Sequence, residues 1–199
     1  TAFDLSHNYQ ADVIVAQNVF AHVDTIFNFM HGIHRLLKPN GIFIVEVPWL
    51  MDTIENMDFL QFYHEHVGYI SYQGMRNLVN QFNMDIYDVQ KLDIHSGSLR
   101  FIISSNKSLY PKMNNPIFVE EQKSFVNKDI NNFQNRIDEF RNTLLKFVGN
   151  EEFVGVGASA KSCVLLNYCK LQNNIIAIYD NTPEKQGKFQ PGTRIPILP

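Results

Sequence analysis

The apolar residues in the first half of the chain form short continuous runs separated by a stretch with helical spacing. The run at residues 12–18 is typical of a strand buried in a parallel sheet. Apolar residues then recur at helical spacing over residues 25–37, and a turn at residues 38–41, which contains Pro and Gly, predicts the end of this helix. A second apolar run follows at residues 41–47. Strand, helix and strand in this order predict a βαβ unit with two parallel strands.

The middle of the chain predicts one more helix, two more strands and a domain boundary. Ser71 is the expected N-cap of a helix that continues through residue 82. Two strands follow, at residues 84–89 and 99–104. Residues 107–116 are polar, contain two prolines and show no period, which indicates a boundary. We therefore expect one domain at residues 1–106 and a second at residues 107–199.

The second half predicts a long helix followed by another strand–turn–helix–strand unit. A single apolar stripe runs along residues 117–147, so this helix packs along one side. A strand that begins at Phe153 then meets a glycine turn and a helix, and a further strand at residues 175–180 ends in Asp180. The predicted fold class is α/β, with two Rossmann-like units joined by a long helix.

Composition and charge exclude several function classes. Hydrophobic residues make up 45% and charged residues 19% of the 199 positions, which is typical of a globular protein. The net charge of −3 gives no general attraction to nucleic acid or to an anionic membrane. No apolar run reaches the roughly 20 residues of a membrane span, and the N-terminus lacks a signal-type apolar core. A helix would place Cys163 and Cys169 on different faces, so we expect no disulfide and a reducing, cytoplasmic compartment.

The stretch Tyr63-His64-Glu65-His66 contains four side chains that can gain or lose a proton, and it follows the predicted strand at residues 41–47. Groups with tunable pKa values near the end of an α/β strand are typical of catalytic sites. The alternative is a polar loop whose histidines only bond the backbone. No metal site is predicted, because alternate residues of an extended segment face opposite ways and a third ligand is not evident.

The motif Gly155-x-Gly157-x-x-Ala160 fits a dinucleotide-type fingerprint at the start of a helix. Asp180 follows the next strand, near the position of a carboxylate that binds the ribose of NAD. Lys161 favours an anionic ligand, because a cation in the first helical turn opposes the helix dipole unless a negative group is near. The alternative is a tight strand–helix turn without a ligand.

Six short motifs form an ordered set along nearly the whole chain. They are NVFAHV (18–23), LKPNG (37–41), YHEH (63–66), HSGSLR (95–100), GASAK (157–161) and KQGKFQPGT (185–193). Together they resemble the sugar C-methyltransferases, SAM-dependent enzymes that methylate C3 of TDP-4-keto-deoxysugars. Glycine is usual in that family at two positions of this chain, Ser96 and Ser162.

The resemblance implies a three-part protein with a zinc-binding domain, a SAM-binding Rossmann-like domain and a C-terminal α/β domain that helps to hold the sugar nucleotide. This chain is similar to the second half of the SAM domain and much of the C-terminal domain. Residues that match the zinc cysteines, the glycine-rich SAM loop and the acid on the second strand are absent. We therefore expect SAM as the cofactor, with its site largely missing here, and zinc only in a domain that this chain lacks. The implied substrate is a nucleotide-diphosphate sugar.

The resemblance also implies residue roles. His66 would remove the proton at C3, Glu65 would orient or tune it, and Tyr63 and His22 would hold the ketone oxygen. Asn18 would contact the cofactor. The implied substrate-binding residues are Gly157, Ser159, Lys161, Lys185, Gln186, His95 and Arg100. From its local sequence alone, His22 is equally well a residue at a helix start.

Three other functions stay open on the sequence. The first is a catalytically silent module that binds only the sugar nucleotide, which the missing SAM loop favours for this chain. The second is an NAD(P)-binding oxidoreductase, which depends on the Gly155 turn and Asp180. The third is a methyltransferase that acts on oxygen. The sequence leaves the sugar, the nucleotide, the stereochemistry, the pathway and the oligomeric state open.

Overall fold

The computed structural model describes residues 9–106, 108, 115–126 and 129–199. The chain divides into two compact units. The first unit contains residues 1–56 and 65–130, and the second unit contains residues 57–64 and 131–199. The domain boundary at residues 106 and 107 that the sequence predicts stays a prediction, because most of the polar segment 107–116 lies outside the described residues.

The described elements of the two units follow in chain order. Those before residue 129 are β1 (Ala11–Gln17), α1 (Ile26–Leu36), β2 (Leu37–Pro48), α2 (Leu50–Glu55), α3 (Tyr72–Asn80), β3 (Asp85–Leu92), β4 (Ser98–Ser104) and α4 (Pro116–Val126). Those after it are α5 (Asp129–Val148), β5 (Phe153–Val156), α6 (Ala160–Cys169), β6 (Ile175–Tyr179) and β7 (Ile197–Leu198). The single long helix that the sequence predicts therefore corresponds to α4 and α5, and residues 127–128 between them lie outside the described residues.

The first unit is built on a four-stranded sheet with the order β1-β2-β4-β3. Strands β1 and β2 pair in parallel, and α1 lies between them in the chain, so the predicted βαβ unit is confirmed. Strand β4 lies antiparallel to both β2 and β3. The predicted helix cap is also confirmed, because the backbone N–H of Gly74 donates to Ser71 Oγ at 2.9 Å.

Strand β2 begins at Leu37, earlier than the sequence predicts. Ala11 pairs with Leu37 and Val13 pairs with Ile42, so the residues between Leu37 and Ile42 form an irregularity inside the strand. Pro39 has no backbone N–H to donate, and it lies within this irregularity, where the regular ladder is already interrupted. Residues 38–41, for which the sequence predicts a turn, therefore form the start of β2.

The core of the first unit lies on one face of its sheet. Phe43, Val45 and Phe101 are fully buried there. Phe20 packs between Phe29 of α1 and Phe43, with ring centroids 5.7 and 6.5 Å apart. Burying a large apolar side chain stabilises a fold by about 1.5–3 kcal/mol, so this face fixes the sheet on which the site is built.

The second unit has a sheet of three parallel strands with the order β5-β6-β7. The predicted strand, glycine turn, helix and strand are confirmed here. Ser159 caps α6 by accepting from the Ser162 N–H at 3.1 Å, as small polar N-cap residues do. The core of this unit is made of residues from the helices, the strands and the loop before β7: Val148, Ala158, Leu166, Cys169, Leu171, Ile178, Ile195 and Ile197. Both cysteines are free.

None of the helices in the described part of the chain combines the length and the apolar composition that crossing a membrane requires.

Candidate active site

The loop that carries His66 is bound to the short 3-10 turn that carries His22, both within the first unit. The backbone N–H groups of Val67 and Gly68 donate to the carbonyl oxygen of Ala21 at 2.9 and 3.2 Å. These bonds bring the two histidine rings to a centroid distance of 4.8 Å, with one ring edge toward the other at 63°. The structure thus places side by side the rings of His22 and His66, two of the residues for which the resemblance implies a catalytic role.

A hydrogen bond fixes the tautomer of His22. Its Nδ1–H donates to the backbone carbonyl oxygen of Glu65 at 2.8 Å, across a separation of 43 residues. A carbonyl oxygen can only accept, so Nδ1 must carry the proton. In the neutral ring Nε2 is then an acceptor, and in the protonated ring it is a donor. His22 is exposed and His66 is partly buried.

The 3-10 turn lies at the carboxyl end of β1, where α/β sheets bind their ligands. Asn18 follows β1 directly with a φ of 53°, a left-handed conformation that asparagine tolerates better than most residues. Its N–H donates to the carbonyl oxygen of Glu46 at 3.1 Å, which ties the turn to the end of β2. The side chain of Asn18, the implied cofactor contact, is exposed at this edge.

The stretch Tyr63-His64-Glu65-His66 is divided between the two units, because residues 57–64 belong to the second unit. Phe59 holds this segment through ring contacts with Phe140 of α5 and Tyr168 of α6, at centroid distances of 5.8 and 5.4 Å. Glu65 and His66 belong to the first unit. The implied role of Tyr63 beside the two histidines therefore stays a prediction.

Arg100, an implied substrate contact, forms an ion pair with Glu46. Its Nη2 lies 3.4 Å from Glu46 Oε2, and its Nη1–H donates to Gln90 Oε1 at 3.3 Å. The Nε2–H of Gln17 donates to the same glutamate. These four residues face one another across β1, β2, β4 and β3 in the sheet register. Arg100 thus compensates a buried carboxylate, which would be costly to leave unpaired.

Sequence reasoning missed Glu46 as part of the site. Its signal was available, because it is a lone acid inside the apolar run at residues 41–47. A buried acid in a strand needs a partner, and the strand register supplies Arg100. His95, a further implied substrate contact, lies in the turn between β3 and β4 with a φ of 51°.

In the second unit, Asp180 folds back onto the glycine turn. Its carboxylate accepts from the N–H of Thr182 at 2.9 Å, from the N–H of Ala158 at 2.7 Å and from Lys185 Nζ at 3.2 Å. Hydrogen bonds from Thr182, from the Ala158 backbone and from Lys185 hold the pKa of Asp180 well below its usual range. The Asp180 carboxylate accepts these hydrogen bonds from the protein itself, whereas in an NAD site the carboxylate accepts from the ribose.

The remaining implied substrate residues surround the same turn. Gly157 has a φ of 89°, which favours glycine, and its N–H donates to the carbonyl oxygen of Tyr179 at 2.7 Å. The Nε2–H of Gln186 donates to the carbonyl oxygen of Asp180 at 2.9 Å. Lys161 Nζ lies 3.1 Å from Asp58 Oδ2. Asp58 is therefore the negative group expected beside Lys161 in the first turn of the helix. No local sequence pattern identified Asp58 as this partner.

Within the described ranges, no group of three or more His, Cys, Asp and Glu side chains is arranged to hold a metal ion. Burial raises the pKa of the Cys169 thiol, with a smaller opposing effect of Arg141, so this cysteine is a core residue and a poor nucleophile.

Two family models match different parts of this chain. A family model described as the C-methyltransferase C-terminal domain matches residues 93–199, and a methyltransferase domain model matches residues 3–89. The C-methyltransferase NovU of Streptomyces niveus is 29% identical over 197 residues, which cover 94% of this chain and 47% of that protein. The chain thus spans about half the length of the curated relative that it matches.

Solved structures resemble only part of the chain. An O-methyltransferase family protein from Burkholderia thailandensis has a TM-score of 0.40 and 14% identity over 54% of this chain and 35% of its own. A structure from the study of disulfide-to-thioacetal conversion in echinomycin biosynthesis has a TM-score of 0.38 and 12% identity over 54% and 55%. Similarity at this level supports no conclusion about function.

The match over residues 93–199, more than half of the chain, shows that this protein belongs to the family defined by the C-methyltransferase C-terminal domain.

Proposed function

We propose that this chain is the proton-removing and sugar-nucleotide-binding part of a SAM-dependent C-methyltransferase. The reaction is transfer of a methyl group to C3 of a nucleotide-linked 4-keto-deoxysugar through an enolate. The observation that carries the proposal is the pair of His22 and His66, held 4.8 Å apart by backbone bonds at the carboxyl end of β1. Membership of the family supports the same reaction class.

The chemistry requires a base and a group that stabilises negative charge. A C–H bond next to a ketone is acidic because the charge moves to the ketone oxygen when the proton leaves. A base with a pKa near neutral removes the proton, and a hydrogen-bond donor holds the oxygen. In our proposal His66 is the base, and Glu65 orients it.

The tautomer of His22 restricts what it can do in this reaction. The neutral ring has its only proton on Nδ1, which is bonded to the Glu65 carbonyl oxygen. Neutral His22 therefore offers Nε2 as an acceptor and cannot donate to the ketone oxygen. To hold the enolate oxygen it must be an imidazolium, whose Nε2–H donates. In the neutral form it would act as a second base beside His66.

Bound SAM supplies the electrophilic methyl group. In this chain Asn18 presents an exposed side-chain amide at the carboxyl end of β1, beside the turn that carries His22. This arrangement fits one contact with the cofactor. The chain has neither the glycine-rich loop nor the ribose acid of the family, so we expect this chain to bind SAM weakly or not at all.

The alternative of an NAD(P)-binding oxidoreductase is less well supported. Asp180 would have to bind a ribose, yet its carboxylate accepts from Ala158 and from Lys185 instead. A diphosphate needs no such acid, and it suits the small residues of the turn and the nearby Lys161. We therefore propose that the turn at residues 155–161 binds the diphosphate of the sugar nucleotide.

We predict that His66→Ala abolishes methyl transfer in a protein that combines this segment with the SAM-binding loop. Loss of a general base lowers kcat by about 10²- to 10⁴-fold, while sugar-nucleotide binding stays nearly intact. His64→Ala is the matched control, because it removes the same side chain two positions away. Methyl transfer from labelled SAM measures both variants. Equal losses in the two variants would contradict the assignment of His66.

We also predict that TDP binds to this chain more tightly than NADH. Lys161→Ala should weaken TDP binding, because it removes the cation in the first turn of α6. Lys146→Ala, an exposed lysine in the last turn of α5, is the matched control and should leave TDP binding unchanged. Calorimetric titration measures the affinities. Tighter binding of NADH, or TDP binding that does not depend on Lys161, would refute the diphosphate site.

A further inference from the structure

Asp58 is a largely buried carboxylate in the second unit. Its side chain is 11% exposed, and its Oδ2 accepts from Lys161 Nζ at 3.1 Å and from Gln61 Nε2 at 3.1 Å. Lys161 is the cation that balances its charge. A carboxylate this buried is costly without a charged partner, so the pair forms part of the structure in the absence of a ligand.

The pair also has an electrostatic reason to form. Lys161 lies in the first turn of α6, where the helix dipole disfavours a cation. Asp58 supplies the negative charge that this position needs. A diphosphate bound at the same turn would offer Lys161 the same kind of partner, with more charge and more acceptor oxygens.

We infer that Asp58 competes with the substrate diphosphate for Lys161. The carboxylate neutralises Lys161 while no anion is bound, and the diphosphate displaces it on binding. This inference rests on the proposed diphosphate site. In this role Asp58 lowers the affinity for the anion. The replacement of Asp58 by the diphosphate as the partner of Lys161 is then a step of substrate binding.

Displacement of Asp58 from Lys161 would affect the segment that carries Tyr63. Asp58 immediately precedes the 3-10 turn Phe59–Gln61, and the backbone N–H of Tyr63 donates to the carbonyl oxygen of Gln61 at 3.0 Å. Gln61 is itself bonded to the Asp58 carboxylate. Release of Asp58 from Lys161 therefore loosens one of the anchors of residues 58–63, so that Asp58 acts as a positioning residue that responds to the substrate.

Asp58→Asn tests the competition by the sign of its effect. Removing the competing charge should tighten TDP binding by about 1.5- to fivefold, the range expected for one partly exposed ion pair. Lys161→Ala should weaken binding, and Asp58→Asn should tighten binding less in the Lys161→Ala background than in the wild type, because Asp58 acts mainly through Lys161. Glu152→Gln is the matched control, since it removes one negative charge from an exposed residue just before β5. It should leave the affinity unchanged.

The outcomes separate the inference from the proposed function. TDP binding that is indifferent to Lys161→Ala overturns the diphosphate site and this inference with it. Weaker binding in Lys161→Ala together with unchanged or weaker binding in Asp58→Asn overturns the inference alone. If Asp58→Asn does not fold, amide hydrogen exchange of residues 59–63 in the wild type gives the second readout. Faster exchange with TDP supports the displacement of Asp58, and unchanged exchange contradicts it.

Discussion

Ser96 occupies a backbone position that favours glycine. Its φ is 66°, between a φ of 51° at His95 and a φ of 107° at Gly97, so three consecutive residues of the β3–β4 turn are left-handed. A residue with a Cβ pays roughly 1–2 kcal/mol in the left-handed region. The resemblance at this motif makes glycine the usual residue, and the backbone gives the physical reason. Ser96 therefore stores strain next to two implied substrate contacts, His95 and Arg100.

We predict that Ser96→Gly stabilises the first unit by about 1 kcal/mol, because the strain is larger than the entropy that glycine loses on folding. Gly97→Ala should have the opposite effect. A Cβ at Gly97 would lie 2.0 Å from Asp52 Oδ2, on a backbone that already disfavours a side chain. Urea unfolding followed by tryptophan fluorescence measures both, since Trp49 is the single tryptophan and belongs to the first unit. A loss of stability in Ser96→Gly would contradict the backbone argument.

The charged residues implied as substrate contacts each have a partner within the chain. Lys161 pairs with Asp58, Lys185 pairs with Asp180, and Arg100 pairs with Glu46. The sequence could predict the cations, because their motifs are local. It could not predict Asp58, which is 103 residues away from Lys161.

At the scale of elements, the parts that depend on local signals could be predicted. The βαβ unit follows from apolar runs and a helix stop, and α3 follows from Ser71 at its N-cap. The position of β4 between β2 and β3 could not be predicted, because strand order depends on pairing over long separations. The same holds for the contact of the His66 loop with Ala21, since it joins backbone groups that leave no pattern in the side chains.

A buried glutamate in α4 shows how one element can fasten several others. Glu121 is fully buried, and its carboxylate accepts from the N–H groups of Tyr72 and Gln73 at 2.6 and 2.9 Å. It also accepts from the indole Nε1–H of Trp49 at 3.0 Å. These bonds satisfy donors at the N-terminus of α3, shortly after the loop that carries His66. Helix α4 thereby holds the end of β2 and the start of α3 together.

At the scale of the whole molecule, the two proposed sites lie in different units. The histidine pair lies in the first unit, and the glycine turn with its lysines lies in the second. The boundary between the units lies between His64 and Glu65, inside the stretch of four titratable residues at 63–66. The sequence identified that stretch from its composition. The division itself depends on contacts of Phe59 with α5 and α6, which are distant in the chain.

Solvent deuterium exchange at C3 of a nucleotide-linked 4-keto-deoxysugar, measured without SAM, tests the central claim most directly. It isolates proton removal from methyl transfer, so the result does not depend on SAM binding. We predict exchange with the wild type and with His64→Ala, and a loss of about 10²- to 10⁴-fold in His66→Ala. Exchange at the wild-type rate in His66→Ala would contradict the claim that His66 is the base, and His22, with Nε2 unprotonated in its neutral tautomer, would take its place.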